Sequence, residues 1–309
     1  MISYKLQVLI LTLSVAITSY SPAIYIKEKN PYPIDFSFFY PLHHQGKINT
    51  KELNECSGIL CSQNNPGNYI WAINDGGDLP RIFLLNKKAE LQCTYFLNGA
   101  KNHDWEELAG YLDSSTYTLW IGDLGTNTNK RTWVNLLTFT EPLYSFQKTD
   151  TLKNFTTYYV KYPDKIRNTE AFVIDQQTKE LYFFSKEADS SVVFSISIQE
   201  LQSNDSSTLH LLYKLPIPYV TGASLSADGL ALLLKNYSDV YYFRLGKLRL
   251  KNMSDAQICR IDYTREPQGE SISWAWGNQG FYTLSEQTSN FITPMLCYYK
   301  RNLPSPKTH

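Results

Sequence analysis

Acidic residues, and two lysines with them, recur at matching points of a repeated sequence pattern. They are the residues most able to bind ions or catalyse a reaction. One set stands near the start of a repeated pattern: Glu106, Glu170 and Glu270, with Gly58 and Gly222 at the same point of two other copies. A second set ends the copies, in four of them 16 or 17 residues later: Asp75, Asp123, Lys186, Lys235 and Glu286. A fold that gathers these points would place several carboxylates and two lysines in one small volume.

Such a cluster has three uses. Carboxylates that converge with backbone carbonyls suit calcium, and the ion's ligands would be Asp75, Glu106, Asp123, Glu170 and Glu270. Crowded carboxylates also acquire raised pKa values and can act as general acids or bases. In the third use, lysines and carboxylates neutralise one another in a structural or ligand-contacting role. The sequence leaves all three open.

Two flanking segments extend the set. Asp104 lies two residues before Glu106, and residues two apart share a face of a strand. Beyond Asp123 the chain continues as a polar loop in which Arg131 can pair with Asp123 or with an anionic ligand. The predicted ligand-binding residues are Asp75, Asp104, Glu106, Asp123, Asn127, Arg131, Glu170, Lys186, Lys235, Glu270 and Glu286.

The repeat predicts the elements that must position these residues. Its five copies start roughly 48 to 64 residues apart, which is the range for a four-stranded propeller blade: Ser57, Trp105, Thr169, Thr221 and Gly269. We therefore predict an all-β fold, a β-propeller of five four-stranded blades, or six if residues 25–56 supply more than one strand. The first strand of each blade lines the central channel, so the two sets of charged residues become two rings.

The fifth copy ends before a fourth strand can form. An N-terminal strand over Ile34–Tyr40 would complete that blade and close the ring without exposed edges. A long insert around Tyr144–Asn154 is expected to be a surface loop or a short helix.

The N-terminus has the layout of a secretory signal peptide, with Lys5 followed by an apolar stretch from Leu6 to Ile17. About 12 apolar residues are short for a membrane span, which needs ~20, although an uncleaved anchor remains the alternative. We predict a signal peptide over residues 1–23, a single propeller domain over 24–301 and a loose tail over 302–309. The mature chain is expected to have no membrane span and to be secreted or periplasmic.

Several classes of function have little support. The 29 basic and 29 acidic residues give no net charge, so nucleic-acid binding is not expected. No phosphate-binding loop or dinucleotide fingerprint is present, so no nucleotide cofactor is expected. The sequence also lacks a G-x-S-x-G nucleophile motif. Its five cysteines form no C-x-x-C pair, and they allow either a disulfide between Cys259 and Cys297 or five buried thiols.

The motif order resembles that of a family of exported bacterial β-propeller proteins of unknown function. It is similar in blade pattern to the SdiA-regulated and esterase-like phytase propellers. The likeness covers most of residues 53–290 and rests on these motifs: Glu55-Cys56-Ser57-Gly58, Asn74-Asp75-Gly76-Gly77, Asp104-Trp105-Glu106, Ile121-Gly122-Asp123-Leu124-Gly125, Asn168-Thr169-Glu170-Ala171, Thr221-Gly222-Ala223 and Gly269-Glu270-Ser271. The resemblance implies the propeller fold and export, and it implies no activity.

Three functions follow as hypotheses. The first is a binding module whose channel takes calcium or a small polar ligand, without turnover. The second is a metal-assisted phosphoesterase or esterase that uses the channel carboxylates. The third is a protein-binding scaffold that uses one face of the propeller.

Overall fold

The computed structural model describes residues 30–65, 67, 69–126, 131–288 and 293–303. Those residues form 22 strands, one α-helix and three short 3-10 segments. The first eleven strands are β1 (His43–Lys47), β2 (Cys56–Cys61), β3 (Tyr69–Asn74), β4 (Arg81–Asn86), β5 (Leu91–Leu97), β6 (Trp105–Asp113), β7 (Thr116–Asp123), β8 (Val134–Thr140), β9 (Thr149–Leu152), β10 (Thr156–Lys161) and β11 (Thr169–Asp175). The remaining strands are β12 (Glu180–Ser185), β13 (Ser191–Ser197), β14 (Ser206–Thr208), β15 (His210–Leu215), β16 (Val220–Leu225), β17 (Ala231–Asn236), β18 (Val240–Arg244), β19 (Gln257–Arg260), β20 (Gly269–Trp274), β21 (Gly280–Ser285) and β22 (Met295–Lys300). The helix is α1 (Ile198–Ser203), and the 3-10 segments are Gly246–Leu248, Leu250–Asp255 and Trp276–Asn278.

The strands group into five sheets that repeat one antiparallel arrangement. From the inner strand outward the blades are β2-β3-β4-β5, β6-β7-β8-β10, β11-β12-β13-β15, β16-β17-β18-β19 and β20-β21-β22-β1. The inner strands of consecutive blades contact each other, and β2 contacts β20, which closes the ring. The described residues therefore form a five-bladed β-propeller, as the repeat predicts.

The hydrophobic core lies between the blades. On β12, Leu181 and Phe183 pack with the second blade, while Tyr182 and Phe184 pack with the fourth. Successive strand residues point to opposite faces, so a strand between two neighbours is apolar on both faces. This explains the continuous apolar runs in the second strand of each copy. Each large side chain so buried stabilises the fold by ~1.5–3 kcal/mol.

An N-terminal strand closes the fifth blade, but it lies later than expected. β1 pairs antiparallel with β22, from His43 opposite Tyr298 to Lys47 opposite Met295. The expected strand over Ile34–Tyr40 is wrong, because that segment makes only two isolated bridges, at Ile34 and Phe39. Phe39 of this segment instead packs into the core, with its ring 5.1 Å from the Phe281 ring.

Two blades carry a fifth strand that the sequence did not indicate. β9 lies parallel to β5, with Thr149 opposite Thr94, and β14 lies parallel to β10, with Ser206 opposite Tyr159. The expectation of a loop or short helix around residues 144–154 is therefore wrong for Thr149–Leu152. Each added strand belongs by sequence to the following blade, so it ties neighbouring blades together at their outer edges.

The propeller belongs to a compact unit that begins at Tyr32. The predicted signal peptide over residues 1–23 and most of the predicted tail, residues 304–309, lie outside the described residues. All five cysteines are buried and free, in agreement with the second of the two expectations for them. Within the described ranges, no helix has the length and apolar character to span a bilayer.

Candidate functional site

A β-bulge near the start of every inner strand sets the geometry of the channel mouth. In each blade the register between the first and second strands shifts by one residue. The extra residues are Ser57, Glu106, Glu170, Thr221 and Glu270. A bulge leaves its extra residue out of the ladder and re-aims its side chain. Three of the five bulged residues are therefore glutamates placed at equivalent points of the ring.

The observed register differs in part from the two rings expected from the sequence. Gly58 and Gly222 follow the bulges instead of occupying them. The residues that follow the end of each second-strand ladder are Asp75, Leu124, Lys186, Tyr237 and Glu286. Asp123 lies one position before this set, and Lys235 lies two positions before Tyr237.

Asp75 is shared by two groups of carboxylates that could hold a metal ion. In the first, oxygens of Asp75, Asp104 and Glu106 all lie within 4.8 Å of one another. In the second, Asp75 converges in the same way with Glu270 and Glu286. Asp104 and Glu106 are thus brought together as their spacing predicts. The described residues place Asp123 and Glu170 outside both groups, so their role as metal ligands stays a prediction.

Glu106 contributes a carboxylate oxygen without a partner. The residue is 2% exposed, and within the described part of the chain no hydrogen-bond donor reaches its Oε1 atom. Gly125 makes room for it, because a Cβ at that position would lie 2.2 Å from Oε1 and 2.3 Å from Cγ of Asp104. A buried unpaired carboxylate oxygen is costly, and a bound cation would satisfy it.

Burial and mutual repulsion raise the pKa values of the cluster. Burial raises the pKa of Asp75 to about 7, and the neighbouring Asp104 adds to the effect. Burial and the adjacent Glu270 raise the pKa of Glu286 to about 8. Burial also raises the pKa of Glu106 well above its ordinary value, with Glu170 contributing. Each of these effects would be relieved by a positive charge among the oxygens.

Lys186 supplies part of that positive charge on one side of the mouth. Its Nζ lies 2.8 Å from Oε2 of Glu170 and 3.8 Å from Oε1 of Glu270. Burial opposes the charge on Lys186, yet these two carboxylates raise its pKa. Burial raises the pKa of Glu170 to about 7, although Lys186 acts in the opposite direction. One lysine therefore balances part of the acidic cluster and leaves the Asp75 side rich in negative charge.

Tyr237 is a residue of the mouth that sequence reasoning missed. Its hydroxyl donates to Oε1 of Glu270 over 2.8 Å, and Nζ of Lys186 lies 5.0 Å from its ring centroid. Tyr237 stands where Asp75, Lys186 and Glu286 stand in their blades. The end of the second strand could have identified it. The residue that directly follows this strand in the fourth blade is Tyr237, whereas Lys235 still lies within the strand.

Asp123 organises the loop beside the cluster. Its carboxylate, fully buried, accepts from the backbone N–H of Asp104 over 2.9 Å and from Nδ2 of Asn135 over 3.0 Å. Nη1 of Arg131 and Nδ1 of His103 each lie 2.9 Å from it. Arg131 therefore pairs with Asp123, the first of the two roles expected for it. Asn127 lies outside the described residues.

Lys235 lies between the fourth and fifth blades. Its ammonium donates to the carbonyl oxygens of Gly269 and Asn236, the latter over 3.2 Å, and sits 4.9 Å from the Tyr263 ring centroid. The side chain is fully buried, and burial lowers its pKa to about 8. Its assignment as a ligand-binding residue stays a prediction.

Comparisons with known proteins give similarity of shape. No protein-family model matches the chain, and no curated protein matches it in sequence. A luciferin-regenerating enzyme is similar at a TM-score of 0.47 with 10% identity, over 84% of this chain and 95% of that one. A chain of a nidogen/laminin complex is similar at 0.43 with 10% identity, over 80% and 84%. The hydrazine synthase of Kuenenia stuttgartiensis is similar at 0.39 with 11% identity, over 81% and 61%. Likenesses this weak carry no argument about activity, and membership of the exported propeller family stays a prediction.

Proposed function

We propose that this chain is an exported binding module whose channel mouth takes a calcium ion between Asp75, Asp104 and Glu106. The observation that carries the proposal is the buried Oε1 atom of Glu106, which has no hydrogen-bond donor within the described part of the chain although its carboxylate converges with those of Asp75 and Asp104. Export rests on the N-terminal segment and on the family resemblance.

Calcium suits the site better than other common cations. It takes six to eight oxygen ligands in flexible geometry, whereas Mg²⁺ demands a near-ideal octahedron and keeps several waters. The site offers carboxylate oxygens from Asp75, Asp104 and Glu106, with Glu270 and Glu286 on the far side of Asp75. None of these five residues is a cysteine or histidine, the ligands that zinc favours.

Thermal unfolding of the purified mature protein tests the proposal. A ligand selective for the folded state adds RT ln(1 + [L]/Kd), about 2.7 kcal/mol when calcium exceeds its Kd a hundredfold. We expect calcium to raise the unfolding midpoint, excess chelator to reverse the rise, and magnesium to have a smaller effect.

Two carboxylate variants locate the ion. Glu106→Gln should abolish the calcium-dependent rise, since it removes a charged ligand. Glu170→Gln should retain most of it, because Glu170 belongs to neither candidate group and is paired with Lys186. A calcium effect that survives Glu106→Gln would place the ion elsewhere, and no effect in the wild type would favour a scaffold or an organic-ligand binder.

A second candidate is a metal-assisted phosphoesterase or esterase. The pKa values of Asp75, Glu170 and Glu286, about 7, 7 and 8, favour it, because a general acid or base works best near the operating pH. Hydrolysis of p-nitrophenyl phosphate or p-nitrophenyl acetate, lost with chelator and with Glu286→Gln, would support it. No turnover above a heat-killed control would count against it.

A further inference from the structure

A cavity opens at the end of the channel opposite the acidic mouth. It has a volume of about 470 Å³, within the usual range for small-molecule sites. Each of the five blades contributes an apolar residue from its inner strand: Leu60, Leu108, Phe172, Leu225 and Trp274. Along the inner strands the mouth glutamates come first and the cavity residues follow, so the two sites lie at opposite ends.

Glu107 separates the cavity from the acidic mouth. Its Oε2 atom accepts a hydrogen bond from the backbone N–H of Ala223 over 2.9 Å, and this joins the second blade to the fourth across the channel. Its Oε1 atom accepts from the N–H of Leu108 over 3.0 Å. The crossing makes the cavity a site of its own.

Most polar groups of the cavity wall already form hydrogen bonds with other protein groups. Ser224 accepts the N–H of Trp274 at its Oγ atom over 2.9 Å, and its carbonyl accepts the indole N–H of the same residue over 3.0 Å. The indole of Trp276 donates to the carbonyl of Ser62 over 2.6 Å. None of the described lining residues carries a charge. The wall therefore presents an occupant with uncharged surface, polar and apolar in similar amounts.

Tyr117 adds to this uncharged wall a hydroxyl that is unpaired among the described residues. It lines the cavity, and its hydroxyl lies across the inner strand where a Cβ on Gly110 would be 1.8 Å from the oxygen. The glycine is thus required for the phenol to lie there. Within the described residues, no hydrogen bond engages the Tyr117 hydroxyl.

We propose that this cavity binds a neutral, flat, cyclic small molecule with one hydrogen-bonding group, which pairs with the Tyr117 hydroxyl. The partly exposed ring of Trp276 supplies an aromatic surface for stacking. The uncharged lining disfavours an ionic ligand, because a charge there would be desolvated without a partner. The inference is independent of calcium binding at the mouth.

Isothermal titration calorimetry with 2-naphthol as the probe tests the proposal on the whole protein. We expect saturable binding of one molecule per chain. Binding of 2-naphthoate, the same ring with a carboxylate, should be at least about tenfold weaker, since the charge would be buried unpaired. No saturable binding of 2-naphthol, or equal binding of both probes, would overturn the proposal.

Variants place the probe in the cavity. Leu225→Trp should fill the cavity and abolish binding, whereas Leu211→Trp, on the outer strand β15 and half exposed, should leave it unchanged. Tyr117→Phe should weaken binding about three- to tenfold, the range for one net hydrogen bond. If Leu225→Trp fails to fold, Leu60→Trp on the first blade takes its place. Unchanged binding in a folded cavity-filling variant and in Tyr117→Phe would refute the site.

Glu106→Gln separates this proposal from the proposed function. That variant should lose the calcium effect and bind 2-naphthol as the wild type does. A parallel loss of naphthol binding would overturn the independence of the two ends of the channel.

Discussion

The Glu107 carboxylate of the second blade accepts a hydrogen bond from the Ala223 amide of the fourth blade over 2.9 Å. These blades are not neighbours in the ring, so the contact crosses the channel. Burial raises the pKa of Glu107 well above its ordinary value, despite hydrogen bonds from two backbone N–H groups. This hydrogen bond across the channel, here called the strut, therefore holds a desolvated carboxyl group at the centre of the ring.

Glu107→Gln should destabilise the protein by about 1–3 kcal/mol, because an amide NH2 would then face one of the two backbone N–H donors. The free energy of unfolding in urea measures the effect. Glu90→Gln, at an exposed turn, is the matched control and should change nothing. Equal stability of the two variants would show that the strut contributes little.

Asp123→Asn should cost about 3 kcal/mol, because a buried, hydrogen-bonded ion pair is expensive to break from one side. The amide can accept fewer of the bonds that Arg131, Asn135 and the Asp104 backbone now make to the carboxylate. Asp239→Asn breaks the partly exposed pair with Arg260 and should cost at most about 1 kcal/mol. Chemical denaturation measures the free energy of unfolding of both variants. A larger loss for Asp239→Asn than for Asp123→Asn would contradict the organising role of Asp123.

Gly125→Ala should weaken the calcium-dependent rise in unfolding midpoint, since the new Cβ would collide with Glu106 and Asp104. Gly110→Ala offers the complementary control at the other end of the channel, where the collision is with Tyr117. It should keep the calcium response and lose 2-naphthol binding. Thermal unfolding with calcium and with chelator reads out both, and an undiminished response in Gly125→Ala would move the ion away from Glu106.

Lys235 should make stability depend on pH above neutrality. Its folded-state pKa of about 8 lies below the ordinary lysine value of 10.5, so between these values the unfolded state holds more protons and stability rises with pH. Below about pH 8 the cost of burying the cation is present in full. Relative to Lys235→Met, the wild type should gain on the order of 2–3 kcal/mol between pH 7.5 and 10.5.

Denaturant unfolding across that pH range provides the measurement for Lys235. The exposed Lys251→Met is the control, and its pH profile should run parallel to that of the wild type. Parallel profiles for Lys235→Met as well would show that Lys235 is not buried as a strained cation.

The blade count could be read from the sequence because every blade repeats the same order of a short inner strand, a turn and an apolar strand. The closing strand could not. Residues 43–47, His-His-Gln-Gly-Lys, form a polar outer strand, and an outer strand needs little apolar character. The aromatic segment before it looks more like a strand, yet Phe39 is used to cover Trp274 and Phe281.

The acidic residues of the site could be predicted from the sequence, but the strand register that positions them could not. Asp75, Asp104, Glu106, Glu270 and Glu286 meet as the repeat suggests. A bulge adds one residue to each inner strand, and residue spacing alone does not reveal it. This is why the sequence places Gly58 and Gly222 in the first ring, although each follows the bulge of its strand.

The pairing of β1 with β22 also has a consequence for how the molecule forms. Residues 43–47 find their partners, residues 295–300, only after the roughly 250 residues between them have been synthesised. Contacts of such long sequence separation form slowly. Until then the first and fifth blades each expose a face, so ring closure is expected to be the late, rate-limiting step at which folding competes with aggregation.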